Sequence, residues 1–446
     1  MANDQSTPNS YADFLRRKSR AFAGEPVAFA GDLPSALHHW QAAIVRWALR
    51  KGRAAIFADT GLGKTYMQVA WAHAQPGRAL ILAPLCVADQ TVREAARLGI
   101  DLHYAQSARE ADRHRLVIAN YERLEKFDLR SFDAVVLDES SILKAFDGQT
   151  RTKLIKAFAD TKYRLCCTAT PSPNDITELA NHAEFLGLMT RPEFLATWFI
   201  RVGTGHHTTT HHGWRMKRHA VGPFYHWMAS WAMALRHPRD LGYDDAGYDL
   251  PPLHIHDVII DAPPTDGVLF PELSVYGLQG RLSARRGSLE DRVDAVRQLV
   301  DSRPGPWLLW CGLNEEATAL ARAIPGSLNV QGSDTYAEKV GAVRAFQDGS
   351  LRVLISKPKI LGFGMNFQHC AQMAFVGLGD SYESYYQAIR RCYRYGQTRP
   401  VQVYVVVSEA ETVVVHNVRQ KEQKASELAQ QLMAHMRDIE RKEIAA

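Results

Sequence analysis

The run Ala58-Asp59-Thr60-Gly61-Leu62-Gly63-Lys64-Thr65 follows a short apolar stretch and leads into a helical pattern. A glycine-rich turn of this kind lets backbone N–H groups approach phosphate oxygens, and the helix that follows favours negative charge at its N-terminus. Lys64 is then placed for the β- and γ-phosphates of ATP and the Thr65 hydroxyl for Mg²⁺, while Thr60, Gly61 and Gly63 line the cradle. The strict pattern asks for glycine where Ala58 stands, but a small residue still permits the turn. Downstream, Ala134-Val135-Val136-Leu137-Asp138-Glu139-Ser140-Ser141 ends a hydrophobic strand pattern in two carboxylates. Asp138 suits a hydrated Mg²⁺, and Glu139 suits a base that orients the attacking water. An acidic pair on a solvated turn is common, but here it follows a phosphate loop, and ligands gather at the carboxyl ends of parallel strands. Together the two runs point to nucleotide hydrolysis.

These residues need a scaffold that brings strand ends together. Short apolar runs at Ala54–Ala58, Ala79–Ala83, Leu116–Ala119, Ala134–Leu137 and Tyr163–Thr168 alternate with helical patterns such as Thr65–Ala74 and Val87–Leu98. Strand and helix in repetition predict a parallel sheet covered by helices on both faces over residues 35–190, after an N-terminal arm at 1–34. From 191 to 252 the rhythm breaks: no strand pattern is evident, and Trp198, Trp214, Trp227 and Trp231 fall in this stretch, which reads as a helical insertion. Alternation resumes at His256–Ile260, Trp307–Cys311, Val353–Ile355, Met373–Val376 and Val401–Val407, giving a second α/β domain over 253–411. Residues 412–446 are charged and Pro-free and read as one long surface helix.

Of the 446 residues, 46% are hydrophobic and 23% charged, which excludes a largely disordered chain. The formal net charge of +5 permits a polyanionic partner without requiring one. No apolar stretch is long enough to span a membrane, and the six cysteines form no C-x-x-C pair, so a reducing, cytoplasmic setting is expected.

The order of the motifs resembles that of the superfamily 2 helicases, and within them the Swi/Snf-like double-stranded DNA motors, in the compact form seen in phages and prophages. His38-His39-Trp40-Gln41 resembles the family's adenine-reading glutamine motif. Ala83-Pro84-Leu85 resembles a strand-end segment that touches nucleic acid, and Thr168-Ala169-Thr170-Pro171 resembles the motif that couples hydrolysis to domain movement. Gly362-Phe363-Gly364-Met365-Asn366 looks like the Gly-x-Gly-x-Asn motif, with Gly364 at the nucleotide. Gln387-Ala388-Ile389-Arg390-Arg391-Cys392-Tyr393-Arg394-Tyr395-Gly396-Gln397 resembles the Gln-x-x-x-Arg-x-x-Arg-x-Gly-Gln signature. Gln387, Arg391 and Arg394 stand at helical spacings that share one face. The resemblance makes Arg391 and Arg394 arginine fingers for a nucleotide held by the other domain, with Gln387 beside them. It implies two RecA-like lobes of the P-loop NTPase class, an ATP-dependent DNA helicase or translocase, and DNA, foremost double-stranded, as partner. The acidic box departs from the family's usual Asp-Glu-Ala-His by ending in Ser140-Ser141.

The remaining cationic candidates lie elsewhere. Trp214-Arg215-Met216-Lys217-Arg218 joins charges that can neutralise phosphates to an aromatic that can stack on bases, or it forms a basic face with Trp214 packed locally. Lys357 and Lys359 flank Pro358 just before the Gly-x-Gly motif and are balanced in the same way. His206, His207, His211 and His212 read as a polar loop rather than a metal site. Alternatives to a DNA motor are an RNA-directed ATPase of the same superfamily, or an ATP-gated motor subunit or clamp serving a nuclease or a replication, recombination or restriction partner.

Overall fold

The computed structural model describes residues 22–84, 87–144, 148–202, 213–261, 285–362 and 365–445. The chain divides into two units. The first takes residues up to Ala83, Thr91–Asp244 and the chain from Ala425 onward; the second takes Pro84–Gln90 and Asp245–Lys424.

The first unit is built on a seven-stranded sheet. Its strands are β1 (Arg53–Ala58), β2 (Ala79–Ala83), β3 (His103–Tyr104), β4 (Leu116–Asn120), β5 (Ala134–Asp138), β6 (Tyr163–Cys167) and β9 (Ala232–Leu235), in the order β3-β4-β2-β5-β6-β1-β9. Every pairing in it is parallel. Residues on both faces of β2, β4 and β6 are buried, which is why these strands read as unbroken apolar runs instead of alternating ones. The order β5-β6-β1 has a chemical consequence. It sets the carboxyl ends of those three strands side by side, and these are the ends that carry Asp138, Thr168 and the glycine-rich turn.

The second unit holds a six-stranded sheet of β10 (Leu253–Ile260), β11 (Trp307–Cys311), β12 (Leu328–Val330), β13 (Val353–Ser356), β14 (Gln372–Val376) and β15 (Val401–Ser408), in the order β10-β15-β14-β11-β13-β12. It too is parallel throughout. Helices Leu289–Ser302 and Asn314–Ala323 cover it with Val293, Val296, Val300, Ala317 and Leu320. Two parallel α/β sheets are the expected fold class.

The stretch 191–252 is not purely helical, and this corrects the sequence reading. Phe199–Arg201 (β7) and Trp214–Met216 (β8) form an antiparallel hairpin, and β9 joins the first sheet beside β1. Helix Val221–Ala229 buries Phe224, Trp227 and Met228 in the same core as Trp198 and Trp231. Four apolar residues preceded by an aromatic helix carry no period that separates strand from helix, so β9 leaves no trace in the pattern.

Helix Thr412–Ala445 does not lie wholly on the surface: toward its end it packs one face on the core. Leu432 and Met436 join the core cluster of the first unit, and Glu440 is 1% exposed. The Glu440 Oε1 accepts a bond from the Ala234 backbone N–H at 2.7 Å. Burial pushes this carboxyl up to about 8; the Ala234 bond and Arg437 pull against the shift, while Asp240 adds to it. An unfolded glutamate titrates near 4.3. Between these values the native state holds a proton that the unfolded state has released, so stability falls as pH rises toward 8. Glu440→Gln should remove that slope. The variant is expected to be more stable than the wild type at pH 9, by on the order of a few kcal/mol, with the gap closing toward pH 4.5. Melting curves of both proteins that run parallel across this range would exclude a proton on Glu440.

Candidate active site

The glycine-rich turn between β1 and helix Lys64–His73 is held from several directions. Gly61 and Gly63 have φ of 94° and 69°. A Cβ at Gly63 would lie 2.4 Å from the Gln41 Nε2, so only glycine fits this left-handed position. The Gln41 Nε2 donates to the Leu62 carbonyl at 3.0 Å, and its Oε1 accepts from the His38 backbone N–H at 3.0 Å. Gln41 thus braces the turn with the Nε2 end of its amide and caps the start of its own helix with the other. The Lys64 ammonium donates to the carbonyls of Ala58 and Asp59 at 2.9 and 3.2 Å, and burial lowers its pKa against the opposing fields of Glu139, Asp59 and Asp138. The Thr60 backbone N–H bonds the Asp59 carboxylate at 2.6 Å.

Two strands away, β5 delivers the acidic pair. Asp138 Oδ1 accepts from Gln68 Nε2 at 2.8 Å, and the Asp138 carbonyl accepts from the Tyr121 hydroxyl at 2.8 Å. Among the described residues, no hydrogen bond reaches the other Asp138 oxygen. Burial raises the Asp138 pKa to about 6, opposed by the Gln68 bond and helped by Glu139. Glu139 is the one non-glycine residue with positive φ among those described, at 57°. Its Oε1 accepts from Ser141 Oγ at 3.0 Å and from Thr168 Oγ1, and Thr168 is steadied in turn by the Thr170 backbone N–H at 3.0 Å. The two serines of the box therefore divide their work. Ser141 holds Glu139, while Ser140 meets His182 Nε2 at 3.1 Å in the interior, where burial drives the His182 pKa down to about 4. Lys144 lies half-buried, its pKa lowered by burial against the fields of Glu178 and Glu139.

A carboxylate oxygen, a threonine hydroxyl and a lysine ammonium at one strand edge can hold a hydrated divalent cation and a polyphosphate. Mg²⁺ fits this donor set: the ligands are hard oxygens, and Asp138 keeps one oxygen clear of protein donors among the described residues. Gln68 and His182 are missing from the sequence reading. Only Gln68 left a signal there, since it stands three residues after Thr65 on one helix and so on its face.

In the second unit the arginine signature departs from expectation. Helix Tyr382–Ile389 ends before either arginine, and Arg390 is its C-cap. Arg391 and Arg394 sit in the turns that follow, so no single helix face carries Gln387, Arg391 and Arg394. They converge by another route: Arg391 Nη1 and Arg394 Nη1 both donate to the Met365 carbonyl, at 3.2 and 3.1 Å. Arg391 also donates to the Gln387 carbonyl at 2.8 Å and to Gln387 Oε1 at 2.7 Å, so its guanidinium is bonded within its own unit at all three nitrogens. Arg394 is half-buried. Gln397 Nε2 donates to the carbonyls of Gln368, Cys370 and Cys392, and so serves as a backbone tie. Gly364, expected at the nucleotide, lies outside the described residues, as do the four histidines of 206–212.

The nucleic-acid candidates separate by their surroundings. In the β7–β8 hairpin, Arg215 stands opposite Ile200 and is exposed, as is Arg218 beyond the hairpin. Trp214 packs against the core of the first unit. Lys217 Nζ donates to the carbonyls of Ala196 and Thr197, at 2.6 and 3.1 Å, and so caps the end of helix Arg191–Trp198. Pro84 and Lys357 are partly exposed and Lys359 is exposed.

Residues 38–179 match the model of the DEAD/DEAH box helicase domain, and residues 292–396 match that of the helicase conserved C-terminal domain. The two matched helicase domains stand in order on one chain, which supports a superfamily 2 helicase and an ATP-hydrolysing enzyme. The chain is also similar to the ATP-dependent helicase FUN30 of Saccharomyces cerevisiae, with 29% identity over 154 residues. That match covers 29% of this chain and 13% of the yeast protein, so the chain corresponds to a small part of its relative's length. Among the described residues, no helix is long and apolar enough to cross a membrane.

Proposed function

We propose that this protein is a DNA-dependent ATPase that couples ATP hydrolysis to movement along double-stranded DNA. The ATPase reading is carried by the adjacency β5-β6-β1, which sets the glycine-rich turn, Asp138-Glu139 and Thr168 at one edge of a parallel sheet. In this reading Thr60, Gly61 and Gly63 supply the cradle, Lys64 binds the phosphates, Thr65 and Asp138 hold Mg²⁺, and Glu139 orients and deprotonates the attacking water. Mg²⁺ held there neutralises phosphate charge. Thr168 and Ser141 fix the Glu139 carboxylate through its Oε1 and so set the direction in which it meets the water. Gln41 acts by bracing the turn. The two signature arginines, Arg391 and Arg394, serve the developing charge in this reading, with Arg391 also holding Gln387 and Met365.

The choice of DNA over RNA rests on the likeness of Gln387–Gln397 to the Swi/Snf-like signature. It is tested by comparing ATPase rates with double-stranded DNA, single-stranded DNA and RNA. Double-stranded DNA should stimulate most, and stimulation by RNA alone would make the chain an RNA-directed ATPase. Arg215 and Arg218 are the cations proposed to grip the backbone, with Lys359 and Lys357 as further cations and Pro84 at a strand end. Replacing Arg215 and Arg218 by Ala should flatten the slope of log affinity against log salt by up to about 0.9 for each phosphate no longer neutralised. Trp214→Ala should cost stability and leave DNA affinity nearly unchanged, because the indole is spent on the core. A double arginine variant with an unaltered salt slope would assign the hairpin another role.

A further inference from the structure

Gln68 takes no part in the reading given so far, yet it is fully buried, at 0% exposure, one turn along the helix from Thr65. Its Nε2 donates to Asp138 Oδ1 at 2.8 Å, while its Oε1, also buried, meets no hydrogen-bond partner among the described residues. A buried amide whose acceptor oxygen goes unused is costly in a core that leucine or methionine would fill well. The bond it does make falls on the carboxylate proposed as a metal ligand, and it takes one oxygen only.

We infer that Gln68 is a positioning residue for the magnesium site: its N–H fixes the Asp138 carboxylate so that the second oxygen is presented to the ion, and its carbonyl oxygen is the acceptor for a water of the hydrated ion. The helix beginning at Lys64 thereby supplies three parts of one site: the ammonium of Lys64, the hydroxyl of Thr65 and, three residues on, the amide that orients the ligand arriving from β5. Outer-shell partners of this kind fix the orientation of ligands, and their loss weakens metal binding about 10- to 100-fold. The inference rests on the reading of Asp138 as a magnesium ligand.

The test is the Mg²⁺ dependence of binding of a fluorescent ATP analogue, measured without turnover on the full chain. Gln68→Met keeps the volume and removes the donor. It should melt within a few degrees of the wild type, bind the analogue equally well without metal, and need about 10-fold or more Mg²⁺ for half-saturation. Asp138→Asn should shift half-saturation at least as far, and the double variant no further than Asp138→Asn alone, because Gln68 acts through Asp138. Should Gln68→Met fail to fold, Gln68→Leu carries the test, since it too removes the donor and the acceptor without adding a charge beside Asp138; the same shift is expected. A wild-type Mg²⁺ dependence in the Gln68 variant, with Asp138→Asn shifted, overturns the inference alone, and so does an additive double variant. An unshifted Asp138→Asn overturns the metal-site reading, and the inference with it.

Discussion

Arg394→Ala is expected to lower the ATPase rate at saturating nucleotide by about a thousandfold or more while changing ATP affinity by a few-fold at most. The reason is where the two arginines place their nitrogens. Arg391 is 3% exposed and donates from Nε, Nη1 and Nη2 to Gln387 and Met365. Its loss would unpair buried acceptors, so Arg391→Ala should show a lowered melting temperature along with any loss of rate. Arg394 is half-buried and donates from Nη1 to the same Met365 carbonyl. A guanidinium that meets phosphoryl charge in the transition state lowers the rate constant when removed, and not the ground-state affinity. Arg394→Lys should recover little of the rate, because an ammonium lacks the planar fork. If nucleotide affinity collapses in Arg394→Ala and the saturated rate holds, the residue is a ground-state ligand and the assignment fails.

How much of this could be read beforehand depends on how far apart the interacting residues lie. The glycine-rich turn and the acidic pair were legible because phosphate binding demands fixed residue types within a few positions, flanked by strands with an unbroken apolar run. The strands so marked, such as Ala79–Ala83 and Trp307–Cys311, lie as expected. β9 was not legible, since Ala232–Leu235 follows Trp227 and Trp231 without a turn signal and gains its strand character only by pairing with β1. The same holds for the end of helix Thr412–Ala445, whose charged pattern hides the burial of Glu440 beneath the backbone of Ala234. Helical spacing misled at the arginines: Gln387, Arg391 and Arg394 satisfy it, yet the helix stops at Ile389, and Gln397 ties the following turns to Gln368 and Cys370. Long-range polar pairs were beyond reach altogether. Nothing in the local sequence joins Gln68 to Asp138 or Ser140 to His182.

Glu139→Gln should suppress ATP turnover by on the order of 10²- to 10⁴-fold, the usual contribution of a positioned general base. ATP and Mg²⁺ binding should persist, because Lys64, Thr65 and Asp138 are untouched. The fold should persist too. The hydrogen bonds from Ser141 and Thr168 arrive at Oε1, and an amide oxygen accepts them as a carboxylate oxygen does. What the variant loses is the basicity and charge of the carboxylate that meets the water. The backbone adds an independent check. Glu139 sits at φ 57°, where an L-residue other than glycine costs about 1–2 kcal/mol. Glu139→Gly should relieve that cost, offset by the loss of the two bonds, and stay as inactive as Glu139→Gln. A stable, inactive glycine variant beside a folded, ATP-binding, inactive glutamine variant would mean that the strained turn is kept for its carboxylate and not for the fold. Near-normal turnover in purified Glu139→Gln would instead remove Glu139 from the water-activating position and leave the acidic pair with Asp138 as its one working member.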